Sequence, residues 1–455
     1  MDLIVENGLV VTPERVAAYD LLIDDGKIAA WSRPGALRDA AVDRRIDASG
    51  LHVFPGVIDP HTHFGLGGED DWEKESESAA IGGVTTVLNY VMTSGSYEEA
   101  VEKELELAGS KSCIDYGLHL CPCTPPHLDQ FEDYLSRYGV TSFKYFMHFR
   151  GNEGAYLDIS GTDDSYLFRY LKKAGEYRGV TANIHAENIE VVWHLREALQ
   201  QSEDSLAAFE RSRPDFVEAE AAFRALLLGS IAGARTYIVH LSSKMGLEAI
   251  EAARGIHPEA QLFAETCPHY LMDTANSGVG SLAKINPPLR YEDDVDALWE
   301  GLASGRIQTV GSDHAARSRD QKTGNIWKVP AGFPGSQTIL TVLLSEGYHR
   351  RGLPLETIAR VSALNPGRIF GVGDRKGRLD PGFDADLVLV DLDAERDVTA
   401  DTWGSREGRF SILEGRRLRG WPVTTISRGS LLLEDGEFVG GRGRGEYLSR
   451  NPEGA

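Results

Sequence analysis

The sequence predicts an α/β protein: a (β/α)8 TIM barrel that carries a small discontinuous β-sandwich domain built from both chain ends. Three observations lead there. Short apolar runs of strand character alternate with amphipathic helical stretches through the middle of the chain. Both ends are instead rich in β-hairpin signals, and the residues that can do chemistry fall at the ends of the apolar runs.

Residues 1–52 read as short β runs broken by turns: Leu3–Val5, then Asn7-Gly8, then LLIDDGKIAAW with Asp25-Gly26 as a hairpin turn. Residues 371–455 repeat that style, with ADLVLVDLD from Ala385 and SLLLEDGEFV from Ser430, where Asp435-Gly436 is again a turn. Each end is too short to bury its own core, so the two are expected to pack together. Between them, residues 53–370 form the barrel. Its strands are expected at Val53–Ile58, Val84–Tyr90, Asp115–Cys121, Val140–Phe146, Thr181–His185, Thr236–Leu241, Gln261–Glu265 and Ile307–Gly311. Helices are expected at Tyr97–Leu107, His127–Tyr138, Asp164–Tyr177, Ala219–Ala232, Met245–Ala253 and Asp293–Ala303. A doubly wound open sheet is the alternative, but no GxGxxG element follows a strand.

With 47 Lys and Arg against 69 Asp and Glu, the formal charge of −22 repels nucleic acid and anionic membrane, and no basic cluster offsets it. The expected partner is a small molecule. Cys113, Cys121, Cys123 and Cys267 make no CxxC pair and read as buried thiols in a reducing compartment. The N-terminus MDLIVENGLVV is acidic where a signal peptide is basic, and no apolar run reaches the roughly 20 residues that span a bilayer. A cytoplasmic protein is expected.

The chemistry gathers where a barrel keeps it, at the C-terminal ends of the strands. VFPGVIDPHTH ends in His61 and His63, which point the same way because alternate strand residues share a face. Lys144 lies on the fourth strand, His185 and His240 end the fifth and sixth, and the eighth runs into Asp313. Four imidazoles and a carboxylate suffice for two divalent ions about 3.5–4 Å apart. A lysine among them must be neutral or converted to an anion, since an ammonium cannot ligate a metal. Asp59 shares the strand face of His61 and could accept a hydrogen bond behind it; His119, His148 and His269 read as structural or supporting histidines.

The runs GVIDPHTH, TSFKYFM, IHAEN, IVHLSS, ETCPHYL, NPPLR and GSDHA resemble the cyclic amidohydrolases, the dihydropyrimidinases, hydantoinases and allantoinases, over nearly the whole chain. The resemblance implies two zinc ions bridged by a carbamylated Lys144. His61, His63, Lys144 and Asp313 would serve the buried ion, and Lys144, His185 and His240 the other. It implies ring opening of a cyclic amide or imide by a bridging hydroxide, with Asp313 moving the proton. The tail GRGRGEYLSRNP resembles the family's C-terminal arm, which implies a homo-oligomer, commonly a tetramer.

Three positions depart from the hydantoinase pattern. Phe149 stands five residues after Lys144 where that pattern has an oxyanion-binding tyrosine, Asn286 replaces a serine before PPLR, and Pro330-Ala331-Gly332 replaces PNG. Phe149, Asn286 and Ala331 are therefore the expected substrate contacts. Plain hydantoin and dihydrouracil are expected to be poor substrates, with His148 or the metal covering the oxyanion in place of the lost hydroxyl. A dihydroorotase-like enzyme would need an arginine where Phe64 stands. A non-catalytic scaffold homologue would have lost ligands, and here the whole set is present.

Overall fold

A computed structural model describes residues 1–151, 153–159, 161–405 and 408–450. Strands Val57–His63, Val84–Val91, Asp115–Leu120, Ser142–Phe146, Thr181–His185, Arg235–Ile238, Leu262–Thr266 and Thr309–Val310 follow one another in space as in sequence, all parallel. The sheet's remaining strand, His314–Ala315, pairs with Thr62 and His63 of the first. Both edges of the sheet therefore belong to one segment, residues 309–315, and the sheet closes into the expected barrel. Eighth-strand pairing is expected over Ile307–Gly311 but is confined to Thr309–Val310 and resumes at His314, because the chain turns sharply at Asp313, whose φ is 51°.

The helices between the strands bury one stripe each. In Asp164–Gly175 the buried residues are Tyr166, Leu167, Tyr170, Leu171 and Ala174, the spacing of one helical face. Asp163 caps it by accepting the Tyr166 N–H, and Lys172 and Lys173 sit in its last turn, where cations suit the dipole. The helix expected over His127–Tyr138 is split at Gln130 into Pro125–Asp129 and Phe131–Ser136. Helices Asp71–Ile81 and Ile189–Ser202 were not expected from the sequence.

The chain ends meet in a second nine-stranded sheet, where His52–Pro55 pairs in parallel with Leu3–Val11 and antiparallel with Leu387–Asp397. The single strand expected over Val53–Ile58 is thus two. His52–Pro55 belongs to this sheet, and Val57–His63 to the barrel; a Cβ at the intervening Gly56 would run into Thr85 and Asp386. Strand alternation shares the sheet between two cores. Leu387 and Leu389 join Leu3, Val5 and Ile23 in the small one, whereas Val388 and Val390 face the barrel core. Lys376, wholly buried, ties the parts together: its ammonium lies 2.5 Å from Asp115 at the barrel base, 3.0 Å from Asp384 and 2.8 Å from Asp386.

The arm-like tail turns inward as far as Arg450. Tyr116 N–H donates to Glu446 O, Leu448 N–H to Tyr116 O, and the buried Arg450 guanidinium reaches Leu118 O and Ser142 Oγ under the barrel. Asn451 and Pro452, the end of that motif, lie outside the described residues. No described helix is long and apolar enough to cross a membrane.

Candidate metal and active centre

Every residue of Val57–His63 is buried, so the two histidines project from a strand that cannot shift. Asp313 Oδ1 lies 3.1 Å from His61 Nε2 and 3.2 Å from His63 Nε2, and Lys144 Nζ lies 3.4 Å from His61 Nε2. The rings of His61 and His240 are 5.3 Å apart and those of His240 and His185 4.5 Å. Residues from five strand ends thus converge at one mouth of the barrel. Two of them, His240 and Asp313, hold φ of 41° and 51°, left-handed conformations that cost about 1–3 kcal/mol each in a non-glycine residue. The surroundings impose them. His240 N–H donates to Glu265 Oε1 at 3.0 Å, and Ser312, next to Asp313, is held by Asp59 through its N–H and its hydroxyl.

Asp59 therefore works on the backbone. It accepts from His61 N–H at 3.1 Å and from Ser312, while the His61 ring turns its Nδ1 to Glu265 Oε1 at 2.7 Å. Glu265 was not singled out from the sequence, although it ends the seventh strand just as the ligand candidates end theirs. Glu187 is its counterpart at the other histidines. It lies 2.6 Å from His185 Nε2 and 2.8 Å from Arg213, and the His-x-Glu spacing of IHAEN was the available signal. His119 is satisfied at both nitrogens, by Ser142 Oγ and Pro60 O, as a structural histidine should be. His269 packs against Tyr270 and Phe333 with burial holding its pKa at about 3. His148 lines the pocket, with its ring 3.7 Å from that of His185, and its buried Nδ1, like Nε2 of His269, has no partner among the described residues.

The electrostatics suit a cation. Burial drives His63 down to about 4 and His240 well below the usual histidine range, so both present neutral lone pairs. Burial alone would raise the Asp313 carboxyl, yet His61 and the hydrogen bonds from His61 and His63 hold it well below the carboxylate range. Burial also opposes a proton on His61, but Glu265 and Asp313 together raise its pKa, which marks the spot as one where positive charge is favoured. Burial brings Lys144 down to about 8, against Asp313 and Glu265, so a neutral amine is accessible near neutral pH. The donor set fits a divalent ion at His61, His63 and Asp313, whose donor atoms lie within 4.8 Å of one another. His148, His185 and Glu187 form a second such group.

A cavity of about 70 Å³ opens over these residues, lined by His63, Lys144, His185, His240 and Asp313 on one side and by His148, Phe149, Asn286 and Ala331 on the other. Phe149 is buried against Phe146 and His148, with ring centroids 4.7 and 4.0 Å away. Phe64 is absent from the lining and packs on Trp72 and His314.

Comparison with known proteins places the centre in context. Residues 52–432 match the model of the Amidohydrolase family. The chain is 37% identical to an allantoinase of Deinococcus radiodurans, over 97% of each protein, and 34% identical to a D-hydantoinase of Geobacillus stearothermophilus, over 100% of this chain and 98% of that one. A crystal structure of D-hydantoinase superposes with a TM-score of 0.91 at 33% identity over the whole of both chains. The dihydropyrimidinase of Brevibacillus agri does so with 0.91 at 31%, over 99% of each.

Proposed function

Because the chain belongs to the amidohydrolase family, we propose that it is a hydrolase that opens a cyclic amide or imide ring, with two zinc ions held by His61, His63, Lys144, His185, His240 and Asp313. The observation that carries this reading is the Asp313 carboxylate between the Nε2 atoms of His61 and His63, with Lys144 Nζ alongside. When bound, the ions supply what side chains cannot: they lower the pKa of a water they share and act as Lewis acids toward a carbonyl.

The chain's own groups do the rest. Lys144, as the neutral amine, would add to CO₂ and release a proton to solvent, and the resulting carbamate would give the metals an anionic ligand where an ammonium could not serve. Glu265 and Glu187 fix the tautomers of His61 and His185 by accepting from His61 Nδ1 and His185 Nε2, which leaves the other nitrogen of each ring free to bind. As the water oxygen bonds to the ring carbonyl carbon, Asp313 takes its proton and delivers it to the ring nitrogen, whose bond to that carbon breaks. The products are a carboxylic acid and an opened amide or urea arm.

His148 takes over the oxyanion contact that Phe149 cannot make. It is neutral, because burial depresses its pKa far below the usual range, and it lines the cavity beside His185. The dihydroorotase-like reading loses support, since Phe64 points its ring into the core between Trp72 and His314.

Purified protein grown with zinc should contain about two ions per chain and open members of a panel of hydantoins, dihydrouracil, allantoin and cyclic imides, followed by ultraviolet absorbance. Lys144→Ala should lose both metal and activity, with partial recovery of both in a short carboxylic acid. Folded protein free of metal, or full activity in Lys144→Ala, would overturn the reading.

A further inference from the structure

The inner cavity is small for a ligand site, about 70 Å³, so a ring seated over Asp313 must send any sizeable substituent outward. Outward lies a vestibule of about 570 Å³ that shares Tyr156, Asn286 and Ala331 with the inner cavity. Its charge runs against that of the molecule. In a chain of net charge −22, this recess is lined by Arg196, Arg213, Lys284 and Lys328 against one carboxylate, Glu153.

Two of those cations are already matched. Arg196 pairs with Glu153 at 2.8 Å and Arg213 with Glu187 at 2.8 Å. Lys284 and Lys328 have no carboxylate partner among the described residues. Lys284 is buried, and among the described residues its ammonium hydrogen-bonds Val329 O alone, at 2.7 Å, which leaves donors to spare. Burial, and then Arg213 and Arg196, push its pKa down to about 8, and the ammonium also sits over the Phe209 ring at 5.1 Å. Two buried polar atoms of residues that line the recess also lack partners among the described residues, Arg213 Nε and Asn286 Oδ1. A buried ammonium without a counter-ion is costly, and a donor-rich recess opening from an active-site cavity is where a ligand's own charge would offset it.

The geometry points to a substrate whose ring carries a flexible arm ending in a carboxylate, held in this vestibule by Lys284 and Lys328. The assignment rests on the ring-opening reading for what occupies the inner cavity. It differs from recognition of a carboxylate fixed on the ring itself, which would stay within the inner cavity. The arm leaves past Tyr156 and Asn286, and its length is set by the vestibule rather than by the metals.

The test compares two hydantoins with arms of equal length at the 5-position, one propyl and one 2-carboxyethyl, with binding read by calorimetry and ring opening by absorbance. The acid should bind about tenfold tighter at low salt, as one charge-assisted contact allows, and that advantage should shrink as ionic strength rises. Lys328→Gln and Lys284→Met should each lower the acid-to-alkyl ratio several-fold. Lys328 is exposed, so its variant and the salt series decide the matter even if Lys284→Met fails to fold. Equal binding of acid and alkyl compounds overturns the proposal. So does a ratio that survives in Lys328→Gln and does not respond to salt, which would leave Lys284 as an anchor for the backbone at Val329. Preferential binding of the acid with neither ring opened would uphold the anion site and remove the ring-opening reading instead.

Discussion

At the scale of single residues, the centre depends on carboxylates that never touch the cavity. Glu265 accepts from His61 Nδ1, from His240 N–H and from the Tyr237 hydroxyl, so one side chain sets a tautomer and holds a strained backbone. Glu265→Gln should weaken metal binding about 10–100-fold, measured by competition with a chelator, while the protein stays folded. Phe149→Tyr is the complementary change. It returns a hydroxyl beside His148 and should raise turnover of plain hydantoin by up to about 10²-fold, whereas parent activity on hydantoin and dihydrouracil stays low. The histidine candidates and Asp313 are legible in the sequence because they lie at the ends of apolar runs, and Lys144 because it lies within one; strand alternation dictates where such a residue points. Glu265 and Glu187 were harder to find. Their role comes from a ring on another strand or two residues away, and no periodicity encodes which buried carboxylate will meet it.

At the scale of elements, the eighth strand was the hardest to read and is the most specialised. The strand-like stretch from Ile307 to Gly311 promises a strand of ordinary length, yet only Thr309–Val310 and His314–Ala315 pair, and the break between them carries Asp313. Local sequence cannot show this, because the break is held by Asp59 from the first strand acting on Ser312. Gly311 sits inside the break, where an added Cβ would lie 2.5 Å from Glu265 Oε2 and 3.0 Å from His61 Cβ. Gly311→Ala should therefore displace Glu265 from His61 and cost at least about tenfold in kcat with little change in KM, as expected when a catalytic group is mispositioned. The helix Asp164–Gly175 is legible nearly to its ends, since a wide apolar face and a cap are local properties, whereas Asp215–Ala232, which has no side-chain N-cap, is expected only from Ala219. The boundary at Gly56 was missed because one apolar run crosses it, and only partners distant in sequence divide it.

At the scale of the whole molecule, barrel, terminal sheet and tail are joined by charge as much as by apolar packing. Lys376 meets Asp115, Asp384 and Asp386, and Arg428 reaches Asp115 and Glu446. Lys376→Met would leave the buried Asp386 without its cation, while Asp115 keeps Arg428 and Asp384 keeps Arg375, and should destabilise the fold by about 3–5 kcal/mol, seen in denaturant unfolding. Burial opposes its charge, but the three aspartates raise its pKa above the ordinary lysine value. The stabilisation is therefore complete below about pH 10.5 and is lost as pH rises through the folded-state value, so the alkaline limb of the stability profile should be steeper in the parent than in Lys376→Met. The terminal sheet also has a place in time. His52–Pro55 pairs on one side with Leu3–Val11 and on the other with Leu387–Val390, hundreds of residues further along the chain. While a ribosome is still making the barrel, that side of the strand stays open, an apolar edge with unpaired backbone groups waiting for a late partner. The nascent chain must carry this edge through most of its synthesis, so the last step in closing the terminal sheet waits on residues that leave the ribosome after the whole barrel.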